Sequence, residues 1–264
     1  MTKVAAIQMV STPNPAENMA TARRLIHEAA AQGATLVVLP EYWAVMGMHE
    51  EDKVALAEAH DGGVLQDFMA GMARELQIWL IGGTLPLVAE PGKVFNTTLV
   101  YDPQGQVAGR YDKIHLFGFT KGNESYDESR TIVPGQDIGS VMLPFGQVGL
   151  SVCYDLRFPE LYRAMGPSTL LVVPAAFTYT TGQAHWEILL RARAIENQCY
   201  VLASAQGGTH KNGRRTWGHS MLINPWGEVL ACLPEGEGVV SGELDLDLLA
   251  QVRENLPALR HRRM

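Results

Sequence analysis

Three residues of unlike chemistry stand at or just beyond the ends of short apolar or strand-like runs. Glu41 closes "ATLVVLPE", Lys113 lies in "GRYDKIHLF", and Cys153 ends "VGLSVC". A side chain at a strand end is held out from the carboxyl edge of a sheet. The turn that follows offers backbone N–H groups to an oxyanion. A thiol, a carboxylate and an ammonium in such places suit covalent hydrolysis of a carbon–nitrogen bond. A thiolate attacks an amide better than water does, and a covalent intermediate splits one hard step into two easier ones. The free thiol has a pKa of about 8.5, so it needs a base or a nearby cation. Glu41 is the expected base: it takes the thiol proton, protonates the departing nitrogen and later activates water. Lys113 is the expected partner of the thiolate and of the tetrahedral oxyanion.

Taken singly, these residues have ordinary explanations. A lone cysteine is most often a small buried hydrophobe, and Cys199 and Cys232, both in apolar surroundings, read that way. What separates Cys153 is its setting: a strand end, then Tyr154-Asp155, then a helix starting near Pro159. Glu41 and Lys113 alone would be exposed strand-end charges. Glu128 sits in the polar stretch "YDESRTIVPG". His115, His185 and His219 are candidate partners for the thiol but read as packing or hydrogen-bonding histidines. Their spacing makes no metal site. "IGGT" is not a dinucleotide fingerprint and no P-loop pattern occurs, so neither metal nor cofactor is expected.

The chain has 264 residues, 47% hydrophobic and 19% charged, a globular balance with enough apolar mass for a sizeable core. Its net charge of −7 disfavours nucleic acid and anionic membranes as partners. The odd count of three cysteines, without CxxC or zinc spacing, favours free thiols in a reducing cytoplasm. "MTKVAAIQMV" has no secretory pattern, and no apolar run approaches the roughly 20 residues of a membrane helix. No repeat or linker divides residues 1–264, which are expected to form one domain.

Apolar runs alternate with amphipathic ones. Val4 to Met9 and Thr35 to Leu39 read as strands. Between them Asn14 caps a helix with Pro15 in its first turn, and Gly33 suits its exit. Val64 to Leu76 reads as a second helix. "IWLIGGTLPL" and "VFNTTLVYD" read as successive strands, and "QVAGRYD" returns as a third. Residues 115–138 form a long irregular stretch, of the kind that is usually functional. Ser140 to Leu143, Val148 to Cys153 and "TLLVVP" read as strands. A helix over Gln183 to Gln198 places Ile188, Ala192 and Ile195 on one face. "YVLASA", "GHSMLIN" and "EVLACL" follow as strands, with a hairpin turn at "NPWG", and a last helix spans Asp245 to Leu256. βα units mixed with hairpins imply an α/β protein of two packed sheets covered by helices.

The blocks "LPEYW", "YDKIHLF", "ESRTIVPG" and "GLSVCYDLRFPELYR" resemble the active-site blocks of the nitrilase superfamily of carbon–nitrogen hydrolases. The resemblance runs from "VAAIQM" to "LPALRHRR". It implies a four-layer αββα sandwich and a Glu–Lys–Cys triad at Glu41, Lys113 and Cys153. It also implies a second active-site glutamate at Glu128 that positions the lysine. Lys113 and the backbone N–H of Tyr154 would stabilise the oxyanion. "TGQAHWEILLRARAIENQCYV" and "WGHSMLINPWGEV" resemble the Nit branch, which holds omega-amidases and amidases of deaminated glutathione. Both kinds of substrate carry carboxylates. Arg157, one turn beyond the thiol, is the candidate that would receive one, with an internal ion pair to Asp155 as its plain alternative. Phe177 is expected to line the pocket. A homodimer is implied, with the helix after Pro159 at its interface. That helix is followed by a connection near Gly166 about two residues shorter than the family's.

The expected activity is hydrolysis of an amide bond in a small carboxylate-bearing substrate. A true nitrilase or a hydrolase of carbamoyl amines could use the same triad. A catalytically silent, thiol-dependent binding or scaffold protein is the alternative from another class, though it needs none of the four residues. A glycosidase built on Glu41 and Glu128 leaves Cys153 and Lys113 unexplained.

Overall fold

Alternate residues of the strand Thr2–Gln8 point opposite ways, and the two sides build different layers. Val4 and Ala6 pack towards a second sheet, while Ala5 and Ile7 pack under helices. The computed structural model describes residues 2–122 and 124–263, and of Glu124 only the backbone. The expected features at Met1, Asn123 and Met264 lie outside the described residues.

The first sheet runs Gly238–Leu244, Thr2–Gln8, Leu36–Val38, Trp79–Ile81, Lys93–Tyr101, Leu85–Glu90, and Val107–Asp112 also pairs with Lys93–Tyr101. Thr2–Gln8, Leu36–Val38 and Trp79–Ile81 are parallel to one another, and the remaining pairs are antiparallel. The second sheet runs Val229–Leu233, Ser220–Ile223, Tyr200–Ala205, Leu170–Ala175, Gly146–Leu150, Gly139–Leu143. Its three central strands are parallel. Helices Pro15–Ala31 and Val64–Leu76 cover the outside of the first sheet. Helices Pro159–Ala164 and Tyr179–Asn197 pack on the second. The architecture is the expected αββα sandwich.

The sheets are stapled by polar groups as well as by apolar burial. Ser204 Oγ donates to the carbonyls of Ile7 and Val38 at 2.6 and 3.1 Å. Gln206 Nε2 donates to the Glu41 carbonyl at 3.0 Å and to Ser11 Oγ at 2.8 Å. The strand ends that carry the chemistry are thereby tied across the core.

Asn14 caps the first helix as expected, accepting from the N–H groups of Ala16 and Glu17. Several expectations need correction. The strand before the thiol stops at Leu150, and Cys153 opens a 3-10 turn, Cys153–Arg157. "IWLIGGTLPL" breaks into two strands at Gly82-Gly83. Gly83 has φ +52°, and a Cβ there would lie 2.1 Å from the Pro40 carbonyl oxygen. Only glycine lets the "LPE" segment pass so close. The stretch 115–138 is not irregular throughout. It contains a hairpin, Gly118–Lys121 with Glu124–Asp127, and a 3-10 turn, Glu128–Arg130.

The helix expected from Gln183 begins at Tyr179, capped by Thr178. The face carrying Ile188 and Ile195 points outward: the two are 70% and 50% exposed, while Trp186, Leu190 and Ala194 are buried. Cys199 is buried as expected, but Cys232 is exposed, because its strand lies at the edge of the second sheet. Among the described residues no helix is long and apolar enough to cross a membrane.

Candidate active site

Lys113 and Glu41 would be surface residues on composition alone, yet they are 0% and 1% exposed; Glu128 and Cys153 are 8% and 7% exposed. Lys113 Nζ donates to Glu41 Oε1 at 2.9 Å and to Glu128 Oε1 and Oε2 at 2.9 and 2.8 Å. Burying an ammonium is costly unless it is paired and hydrogen-bonded, and here both carboxylates supply that pairing. Burial works against the Lys113 charge, but Glu128 and Glu41 outweigh it and hold its pKa above the ordinary lysine value. Burial likewise opposes the Glu128 carboxylate, and Lys113, the Phe117 N–H and the Tyr42 hydroxyl overcome it, so its pKa falls.

Each carboxylate is held by further donors. Asn96 Nδ2 donates to Glu41 Oε1 at 2.9 Å, and the Ala176 N–H donates to Glu41 Oε2 at 2.9 Å. Tyr42 Oη donates to Glu128 Oε1 and the Phe117 N–H to Glu128 Oε2, both at 2.7 Å. Cys153, Glu41 and Ala176 line the same pocket, so the thiol and the Glu41 carboxylate face one space.

Cys153 is held in the left-handed region, φ +51°. For a residue with a Cβ that conformation costs free energy and marks a site fixed by its surroundings. Asp155 does the fixing. Fully buried, it accepts from Tyr111 Oη at 2.7 Å, the Val152 N–H at 2.9 Å and the His115 N–H at 3.0 Å. His115 Nδ1 lies 2.7 Å from Oδ1, the oxygen that also takes the His115 N–H. Burial, then the charge of Glu41, pushes the thiol's pKa well up, with Lys113 opposing. At neutral pH Cys153 is a thiol with a carboxylate beside it.

Glu41, Cys153, Glu128, Tyr154, Arg157 and Phe177 line one small pocket, with Lys113 behind its carboxylates. All seven residues singled out in the sequence therefore meet at one place. Arg157 does not pair with Asp155. Its guanidinium lies 5.3 Å from the ring centre of Phe177 and 5.7 Å from that of Tyr154, and its Nη1 is 3.3 Å from His185 Nδ1. Among the described residues no carboxylate forms an ion pair with it. Sequence reading missed Tyr42, Asn96, Ala176, Thr181 and Arg214, which hold the triad or line the pocket. Tyr42 and Thr181 lay within quoted blocks, "LPEYW" and "TGQAHWEILLRARAIENQCYV"; the other three carried no local signal. Among the described residues no cluster of three or more His, Cys, Asp or Glu is arranged to hold a metal ion.

The carbon–nitrogen hydrolase family profile matches residues 3–254. The chain is 46% identical over 266 aligned residues to a deaminated glutathione amidase of Synechocystis, covering 98% of this chain and 97% of that one. The NitFhit protein of C. elegans superposes with a TM-score of 0.91 at 39% identity, covering 99% of this chain and 65% of that one. Saccharomyces cerevisiae Nit3, a member of branch 10 of the nitrilase superfamily, superposes with a TM-score of 0.89 at 28% identity, covering 100% and 97%. The chain belongs to the carbon–nitrogen hydrolase family, and it is a hydrolase of carbon–nitrogen bonds other than peptide bonds.

Proposed function

We propose that this amidase cleaves the amide of a small carboxylate-bearing substrate, of the deaminated-glutathione or omega-amide kind, through a thioester on Cys153. The observation that carries the reading is the convergence of Cys153 and Glu41 on one pocket wall, with Lys113 hydrogen-bonded to Glu41 at 2.9 Å. Glu41 Oε2 receives the thiol proton as Sγ attacks the amide carbon, so no free thiolate need accumulate. The tetrahedral oxyanion meets the Lys113 ammonium and the Tyr154 N–H. The carbon–nitrogen bond then breaks, and Glu41 returns the proton to the departing nitrogen. Water, deprotonated by Glu41, attacks the thioester. A carboxylic acid leaves and the thiol is restored. The net reaction is one amide and one water to one acid and one ammonia or amine.

Lys113 has three N–H donors, and three carboxylate oxygens already lie within 2.9 Å of it. To reach the oxyanion it gives up one contact with Glu128. Glu128 tolerates this because Tyr42 and Phe117 still donate to it. In this reading Glu128 is a clamp that sets the ammonium's position. Arg157 and Phe177 hold the acid end of the acyl half, the guanidinium resting on the aromatic face.

The test is a substrate panel run on the native chain and on Cys153→Ala: deaminated glutathione followed by mass spectrometry, and α-ketoglutaramate, a carbamoyl amine and a simple nitrile followed by ammonia release. Cys153-dependent turnover of an amide is the expected outcome. Full activity in Cys153→Ala sinks the mechanism. Acid and ammonia from the nitrile but not from its amide would replace the amidase with a nitrilase. Silence on every compound with an inert thiol would favour the scaffold alternative, whereas silence with a reactive thiol would mean a substrate outside the panel.

A further inference from the structure

Two guanidinium groups line the thiol pocket, and the reaction as proposed uses one. Arg157 rests on Phe177 and Tyr154, whereas Arg214 enters from a different loop. Arg214 also lines the open hollow next door, of about 320 Å³, walled by Tyr42, Met46, His49 and Tyr126 among others. It stands where the small pocket meets the large one.

Its hydrogen bonding is incomplete. Arg214 Nη2 donates to the Ala176 carbonyl at 2.8 Å, and its guanidinium lies 5.1 Å from the ring centre of Tyr126. Its Nε is buried and has no partner among the described residues. No carboxylate there pairs with it either. The hollow's other formal charges satisfy each other, since Lys53 Nζ contacts Glu50 Oε2 at 2.5 Å. Glu41 lends it charge from a distance, but a buried guanidinium with an idle donor and no directly paired carboxylate can still take an anion. Arginine presents its donors as a rigid fork matched to a carboxylate.

The loop that presents it is braced. Asn212 Oδ1 accepts from the Arg214 N–H at 2.9 Å, and Asn212 Nδ2 donates to the Gly47 carbonyl at 2.7 Å. Thr209 and Arg215 bridge across its base. The guanidinium is thus pre-positioned, which lowers the cost of ordering it on binding.

We infer that Arg214 receives a carboxylate on the amine side of the scissile bond, so that the substrate carries one acid on each side of the amide. The inference deepens the amidase reading and rests on it. The acyl half, with its acid at Arg157, fills the small pocket around Cys153. The amine half, too large for the small pocket, extends into the hollow and turns its acid to Arg214. A primary amide, which releases only ammonia, leaves that cation unused.

The test separates this assignment from the chemistry. Calorimetry measures binding to Cys153→Ala of two dipeptides that stand for the amine half, one ending in a free carboxylate and one amidated. The acid should bind about tenfold more tightly, the worth of one charge-assisted contact. Arg214→Gln in the same background should bring the two within about twofold of each other, while Arg214→Lys keeps part of the preference. Arg157→Gln should leave the preference in place. Equal binding of the two dipeptides, or a preference that survives Arg214→Gln, overturns the assignment whatever hydrolysis shows. Turnover supplies the second readout: for two amides sharing one acyl half, the kcat/KM ratio of acid-bearing to primary amide should fall about tenfold in Arg214→Gln, mainly through KM. A binding preference without any Cys153-dependent turnover would leave Arg214 assigned and remove the amidase reading instead.

Discussion

Glu128 grips Lys113 with both carboxylate oxygens, at 2.9 and 2.8 Å, while Glu41 holds the same ammonium with one at 2.9 Å. One cation therefore serves two buried anions and leaves the trio with one net negative charge. Removing it leaves two carboxylates facing each other in the core. Lys113→Met should lose about 3–5 kcal/mol of stability, the usual cost of orphaning a buried charge. The double variant Lys113→Met with Glu128→Gln should recover about 1–2 kcal/mol of that, since one anion is gone. Denaturant melts of both variants check the coupling. A single variant as stable as the native chain would mean that water already reaches the cluster.

Asp155 ties the turn that displays Cys153 to Tyr111, a residue on another strand. Asp155→Ala should destabilise the chain by about 3 kcal/mol or more, because Tyr111 and two backbone donors lose a buried acceptor. Tyr111→Phe, which leaves the carboxylate its other partners, should cost only about 1–2 kcal/mol. Thermal melts rank the two. If Cys153 needs this brace to keep φ at +51°, kcat in Asp155→Asn falls more than KM rises.

The raised thiol pKa makes Glu41 testable by two rates that move in opposite directions. Glu41 is one of the charges pushing the thiol up, so Glu41→Gln lowers its pKa and speeds alkylation by a small neutral thiol reagent above pH 8. The same change removes the base, so amide turnover falls by about 10²–10⁴. In the native chain alkylation should be slow at pH 7 and still rising at pH 10. Slower alkylation together with slower turnover in Glu41→Gln would reduce Glu41 to a structural residue.

Much of the site was legible because a carboxylate, an ammonium and a thiol, Glu41, Lys113 and Cys153, each stood near the end of an apolar or strand-like run, a set whose chemistry fits together although each alone is ordinary. Glu128 was found only through its block, since a polar loop gives no hint of burial. What could not be read is what sequence spacing cannot encode. Asn96 meets Glu41 across 55 residues, and Tyr111 meets Asp155 across 44. Arg214 sits in a polar loop where an arginine looks solvated. Ile188 and Ile195 do share a helix face, and it is the exposed one, because periodicity shows that residues share a side but not which side is covered. Cys232 misled for a related reason: an edge strand exposes residues that a central strand would bury.

His210 lies buried beneath the loop that presents Arg214, with Nδ1 2.9 Å from the Ser11 carbonyl oxygen and Nε2 2.8 Å from Thr216 Oγ1. Burial depresses its pKa from 6.5 to about 4. The neutral ring is the form that fits. Above pH 6.5 it is neutral in folded and unfolded chains alike, and the contribution to stability is fully present. As the pH falls from 6.5 towards 4 the unfolded chain takes up a proton that the folded chain refuses, and stability drains by about 3 kcal/mol. His210→Gln keeps one donor and one acceptor but does not titrate. Its melting temperature should be lower than the native value at pH 7.5 and should fall less steeply between pH 6.5 and 4.5. Parallel curves for the two proteins would mean that His210 is protonated in the folded state. The acid sensitivity would then belong to the buried carboxylates.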